Sequence, residues 1–347
     1  MKILKKLLSF IIIFILLLHS IKNPAYASPN ITTQNPIKVG VFLNNFNDPF
    51  ISAVKKNLED IQKENENKIQ FTFFDAKSNQ FIQNEDISQA LNQYFDLFVI
   101  NLVSSKISDI ESTLNKIFQK NIPLILHLAP NTELVNFVKP YGKAIIIGSD
   151  ETQSGTLQGE ILVDTWNANK ESIDRNKDNI MQYVMLKGPV DSLSTILRTR
   201  YSIGAINDAG IKTQQLLSAT CDWNQECARN TIDAAILNLY DKIEAIIANN
   251  DAMAIGAIEA LQKYGFNKGN SSKYIPVVGV DALPKARELI SQGFMTGTVV
   301  QDPRALADAI YATGMNMVSG ISPLSGTNYK FDETGITIKL PYYEYVK

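Results

Sequence analysis

KIEAIIANNDAMAIGAIEALQKYG (residues 242–265) and, after a polar loop, IPVVGVDALPKA (275–286) decide the fold of this chain. Each holds a short apolar strand that stops at a polar residue and passes into a helix. The first strand ends at Asn249, Asn250 and Asp251, and the second at Asp281. In an open parallel sheet, ligands sit beyond the carboxyl ends of the strands. An amide and a carboxylate therefore stand where a small polar ligand would be gripped.

The same rhythm extends outward from this stretch. Strands are expected at 37–42, 69–75, 97–103 and 122–128, with helices at 49–64, 82–94 and 107–119. Each strand is a near-continuous apolar run, as expected for a parallel sheet covered on both faces. Alternating strand and helix gives a right-handed, doubly wound α/β domain. Ala129-Pro130-Asn131 breaks the rhythm. A second series follows, with strands at 144–149, 180–187, 214–218, 243–249, 275–280 and 296–302, a helix at 303–318 and a last strand at 336–343. Two such halves predict two lobes with a cleft between them, and 347 residues suffice for both.

At the N-terminus Lys2, Lys5 and Lys6 precede a largely apolar run, 7–18, and then Ala25-Tyr26-Ala27 before Ser28. A basic segment, a short apolar core and an A-x-A site describe an export signal, residues 1–27. An uncleaved anchor is the alternative, although twelve helical residues rise only about 18 Å against a bilayer core of about 30 Å. Beyond residue 27 the chain carries 29 basic and 35 acidic residues, a net charge of −6. A mildly acidic exported protein is not expected to bind nucleic acid.

Several chemistries lack their residues. The histidines are His19 and His127, and His127 is expected as a packed residue near the lobe boundary. The turn after the first strand carries no G-x-G-x-x-G, and no phosphate-binding loop occurs. These absences favour a binding protein over an enzyme. Cys221 and Cys227, six apart around Trp223, form either a local disulfide, which export permits, or two free thiols.

The segment DRNKDNIMQ (174–182) places side-chain oxygens at alternate positions: Asp174, Asn176, Asp178 and Gln182. Ile180 can add a backbone carbonyl. This matches the first nine positions of a calcium loop, which surrounds a hard cation with six to eight oxygens. Asn179 stands at the sixth position, where Gly is usual, and Asn tolerates the left-handed backbone. Met185 occupies the twelfth position, so a remote carboxylate is required.

Together these segments resemble the periplasmic galactose/glucose-binding protein family, within the ribose-binding, type I class of bacterial solute receptors. The resemblance spans about residues 37–345. It rests on IEAIIANNDAMAIGAIEAL, PVVGVDALP and DRNKDNIMQ, with NDPF (47–50), VINLV (99–103), MLKG (185–188), TRY (199–201) and TNYKFD (327–332). The family implies two Rossmann-like lobes joined by a three-segment hinge. Their expected extents are 36–128 plus 303–328, and 129–302 plus 329–347, with crossings near 127–131, 300–303 and 328–331. It implies a monomeric exported receptor that closes on a monosaccharide, galactose, glucose or a related aldose, and delivers it to an ABC permease. A sensor reporting to a membrane kinase or chemoreceptor is the alternative. Carried over residue by residue, Asp48 and Asn101 face the cleft from the first lobe, and Arg198, Asn250 and Asp281 from the second. Phe50 and Trp223 sandwich the sugar ring, and Gln301 stands where the family usually has Asn. Structural calcium is implied, with Glu244 as the remote ligand. Ser192 and Ser194 replace a His and an Asp that bind hydroxyls in the family, which leaves the sugar open.

Overall fold

The computed structural model describes residues 35–347; the expected export signal lies outside them. The chain begins β1 (Ile37–Leu43), α1 (Pro49–Glu64), β2 (Ile69–Asp75), α2 (Gln80–Ala90), β3 (Leu97–Asn101), α3 (Ile107–Gln119), β4 (Leu124–His127), α4 (Thr132–Val138) and β5 (Ala144–Ser149). It continues α5 (Glu151–Ile173), β6 (Ile180–Lys187), α6 (Leu193–Asp208), β7 (Lys212–Thr220), α7 (Gln225–Leu239), β8 (Ala245–Ala248), α8 (Asp251–Lys263), β9 (Val277–Val280), α9 (Pro284–Ser291) and β10 (Gly297–Val300). α10 (Pro303–Val318), β11 (Thr337–Leu340) and β12 (Tyr343–Val346) end it.

Two six-stranded sheets result, in the orders β11-β5-β4-β3-β1-β2 and β12-β10-β9-β8-β6-β7. All pairs are parallel except β10 with β12. Successive strand side chains point to opposite faces, and both faces are apolar. In the first sheet Val39, Val41 and Val99 pack with Val54 and Leu58 of α1 and Leu306 and Ile310 of α10. Phe42, Phe98 and Ile100 pack on the other face with Ile87 and Leu114. The second sheet repeats the arrangement, with Ile246 and Ala248 on one face and Ala245 and Ile247 on the other. This is the type I periplasmic binding protein fold. Among the described residues no helix is long and apolar enough to cross a membrane.

Sheet pairing corrects two expected lobe boundaries. β5 pairs with β4, Leu124 opposite Ala144, so the first lobe runs on past residue 128 and the chain crosses at 149–151. Nothing in AIIIGS marks which sheet it joins. The expected last strand, 336–343, is in fact two strands in two sheets. β11 pairs with β5 in the first sheet and β12 with β10 in the second. Pro341, which lacks an amide hydrogen, stands at the break. The third crossing is therefore at 340–343, not 328–331. The second crossing, Val300 to Pro303, falls where the sequence placed it. Residues of all three passages, Ser149, Gln301, Asp302 and Pro341 among them, line one small cavity.

Candidate functional site

A cavity of about 480 Å³ opens at the carboxyl ends of the strands of both sheets. Asp48, Phe50, Asn101, Arg198, Trp223, Asn250, Asp281 and Gln301, the eight residues singled out from sequence, all line it.

From the first lobe, Asp48 caps α1, one carboxylate oxygen accepting from Ile51 N at 2.9 Å. Burial raises its pKa, against the pull of backbone donors and Arg198. Phe50 follows on the first turn of that helix, largely buried, with its ring 6.4 Å from that of His127. Asn101 ends β3 and is partly committed to the backbone. Its oxygen accepts from Asn44 N at 3.2 Å and its amide donates to His127 O at 3.0 Å. His127 is packed, as expected, with Nδ1 2.9 Å from Ile147 O, but it also borders the cleft. Burial lowers its pKa, against the pull of Ile147 O and Glu151.

From the second lobe, Arg198 projects from α6 into a dense network. Its Nε donates to Glu151 Oε2 at 2.7 Å, Nη1 to Asn249 O at 2.9 Å, and Nη2 to Gln301 Oε1 at 3.2 Å and Tyr342 Oη at 3.0 Å. Tyr342 and Ser194 donate in turn to Glu151 Oε1, both at 3.1 Å. Burial works against the guanidinium charge, but Glu151, Tyr342 and Asp281 outweigh it and raise the Arg198 pKa. The sequence reading missed Glu151 and Tyr342. Glu151 is the first residue after a crossing and Tyr342 lies within another, so their role depends on where the crossings fall.

Trp223 sits at the cleft wall in an unusual loop. Asp222 and Trp223 both take left-handed backbone, with φ of 49° and 66°. Cys221 and Cys227 are disulfide-bonded around them, which settles the open choice between bond and thiols. Gly188 lets the indole lie close; a Cβ there would stand 2.3 Å from the ring. Asn250 caps α8 through Met253 N at 3.0 Å and donates to Trp223 O at 3.4 Å. Ser192 lines the cleft, and Asp191 turns outward to pair with Lys106 of the other lobe at 3.2 Å.

Asp281 has φ 119° and is 7% exposed, yet no described residue donates a hydrogen bond to its carboxylate. Its loop is held instead by Asp251, which accepts from Leu283 N at 2.8 Å and Thr298 Oγ1 at 2.6 Å. Burial raises the pKa of both carboxyls. Each thus binds its proton more tightly in the folded than in the unfolded chain, where the value is about 3.9. Their contribution to stability is complete at acid pH and declines as pH rises above about 4. Asp281→Asn is therefore expected to flatten the fall in urea midpoint between pH 5 and pH 7.5. An unchanged slope would assign the fall to other groups.

The loop at 174–182 turns on two left-handed residues. Lys177 and Asn179 are left-handed, with φ of 61° and 62°. Asp174 accepts from Asp178 N and Asn179 N, both at 3.1 Å, and Asp178 from Ile180 N at 2.8 Å. Glu244 reaches the loop from the start of β8, accepting from Arg175 N at 2.8 Å and Gln182 N at 3.0 Å. Burial, with Asp174 and Asp178 nearby, pushes Glu244 up to about 7. Gln182 Oε1 is buried without a partner. Among the described residues no three His, Cys, Asp or Glu side chains gather as a metal-binding group. A cation held there would also need the amide and carbonyl oxygens. An all-oxygen set with one orphaned oxygen fits a hard cation.

Known proteins place this architecture. The model for the periplasmic binding protein domain matches residues 39–322. The D-galactose/methyl-galactoside binding periplasmic protein MglB of Haemophilus influenzae is 31% identical over 318 residues, 91% of each chain. The ribose import binding protein RbsB of Bacillus subtilis is 25% identical, over 87% of this chain and 90% of its own. An ABC transporter solute binding protein from Bacillus halodurans with bound myo-inositol has a TM-score of 0.71 at 21% identity, over 90% of this chain and 95% of its own. At that identity the likeness shows the fold alone. The relatives are solute-binding proteins, not enzymes, and this chain belongs to the periplasmic binding protein family.

Proposed function

We propose that the protein is an exported monosaccharide receptor that delivers its ligand to an ABC importer. The observation that carries this is the cleft itself. Aromatic rings from both lobes, Phe50 and Trp223, share it with carboxylates and amides at the strand ends. Sugar hydroxyls donate and accept at once, so they pair with Asp48, Asn250 and Asp281, while the apolar C–H faces of the ring lie against aromatic faces. Galactose, glucose or a related aldose suits this set, in keeping with the name of the galactoside-binding relative. Hinge rotation about the three crossings would close the lobes, the ligand binding the closed form better. Family membership supports export and a permease partner.

The test is a thermal-shift screen of residues 28–347 against galactose, glucose, xylose, arabinose, ribose and methyl-galactoside, followed by calorimetry. Saturation by one of them is expected to raise Tm by several degrees, since 100-fold excess over Kd adds about 2.7 kcal/mol. No rise with any member of the panel would remove the receptor function proposed here.

We further propose that the 174–182 loop, with Glu244, holds a structural Ca²⁺. Asp174, Asn176, Asp178, Gln182 and the Ile180 carbonyl would be its other ligands. The ion would fix the entry of β6, at the end of the strand opposite the cleft. After chelator treatment, 1 mM Ca²⁺ is expected to raise Tm, and 1 mM Mg²⁺ to do so less, because Mg²⁺ demands a smaller octahedral cage. Equal Tm with and without Ca²⁺ would sink the assignment.

A further inference from the structure

His127 borders the cleft, yet the protein uses only one side of its ring. Side chains alternate along β4, so Leu124 and Leu126 pack on one face of the sheet while Ile125 and His127 turn to the other. Two bonds fix the residue there. Its carbonyl accepts from Asn101 Nδ2 at 3.0 Å, and its Nδ1 stands 2.9 Å from Ile147 O. A carbonyl only accepts, so Nδ1 carries the hydrogen, and Nε2 of the neutral ring is an acceptor alone. Nε2 has no partner among the described residues, and it is not among the buried orphan atoms, Ser154 Oγ, Gln158 Oε1, Gln182 Oε1 and Thr195 Oγ1. It is therefore open to a space that the side chain borders. Those spaces are the cleft and the hinge cavity of about 120 Å³, and they adjoin, since Phe50, Ser149 and Gln301 also line both. The hinge cavity is otherwise lined mainly by Ala305, Leu306, Leu340 and Pro341, whose side chains donate nothing. A donor for Nε2 arrives as solvent or as ligand.

While the cleft is open, water serves Nε2. Closing the lobes removes that water, and a buried acceptor left unpaired weakens binding. We propose that His127 is a specificity-determining residue of this site, its Nε2 accepting a hydrogen bond from one ligand hydroxyl at the cleft floor. The ligand is then a polyol with a free O–H at that position. A deoxy or O-methyl group there is rejected, because neither donates. This rests on the sugar-receptor function and adds a residue to its site. On this assignment Nδ1 serves the fold and Nε2 the ligand, and the first bond aims the second.

The experiment is calorimetry at pH 8, well above the ordinary histidine value of about 6.5, which burial lowers further, so that the ring is neutral. Each sugar of the earlier panel that binds is measured beside its monodeoxy analogues, on the parent protein, His127→Asn and His127→Gln. The Asn amide can still donate to Ile147 O but leaves the Nε2 position empty, whereas the longer Gln places a polar atom there. One monodeoxy analogue is expected to bind the parent protein about tenfold or more weakly than its sugar does. His127→Asn should weaken the sugar by a similar factor and bind that analogue as well as the sugar, because both changes remove one bond. His127→Gln should keep more affinity than His127→Asn. If His127→Asn does not fold, His127→Leu, which also lacks the acceptor, replaces it. Equal sugar affinity in the acceptor-less variant and the parent, or a deoxy penalty of the same size in both, overturns the proposal and leaves the sugar-receptor function standing. Binding of no sugar in the panel overturns both.

Discussion

Arg198→Met is expected to abolish ligand binding and to remove about 3–5 kcal/mol of stability, the usual result of stripping one partner from a buried ion pair. The change leaves Glu151 with a buried charge and two hydroxyl donors, from Ser194 and Tyr342, but no cation. It also frees the Asn249 carbonyl and the Gln301 amide oxygen, both held by the guanidinium. Because Tyr342 and Gln301 sit in two of the hinge crossings, the damage reaches the passages that align the lobes. The double change Arg198→Met with Glu151→Leu should recover most of the stability, since an apolar pair of similar volume can replace a buried ion pair. It should not recover binding. Urea denaturation and calorimetry on the three proteins separate these effects. A single variant within about 1 kcal/mol of the parent would mean that the network is open to water.

Gly188→Ala is expected to weaken sugar binding about tenfold and to cost about 1–3 kcal/mol of stability, the usual range for overpacking. The new methyl would meet the Trp223 ring at 2.3 Å and Thr195 Oγ1 at 2.5 Å, so the indole must leave its seat. An aromatic platform is worth on the order of 1–1.5 kcal/mol beyond its area, which sets the size of the loss. Trp223→Ala removes the platform outright. The double variant should bind no more weakly than Trp223→Ala alone, because both changes act through one ring. Strict additivity of the two losses would show that Gly188 affects the ligand by another route. The disulfide matters here too. It closes the loop in which Asp222 and Trp223 hold left-handed backbone, a conformation costly for side chains with a Cβ.

The helix caps and strand cores were legible because their causes are local. IKVGVF and IQFTFFD are apolar runs that only a doubly covered sheet can bury. Asp48 before Pro49, and Asp302 before Pro303, announce helix starts, and each caps as the residue order demands. Asn179 takes the left-handed position that its place in the loop requires. The eight cleft residues were found at strand ends and by family resemblance, and the fold brings them to one cavity.

The sequence by itself determined the alternation of strands and helices, the division into two α/β lobes and the polar residues at the strand ends. Each of these follows from periodicity or from a residue's own backbone preference. Tertiary structure alone decided that β5 and β11 join the first sheet, because neither AIIIGS nor TIKL carries a residue that specifies its partner strand. It alone decided that Glu151 and Tyr342 meet Arg198, since residues 47 and 144 positions away share no local signal with it. The charge of the cleft follows from that meeting. An arginine read in isolation is a cation offered to the ligand; here it lines the cleft with a buried glutamate already beside it at 2.7 Å.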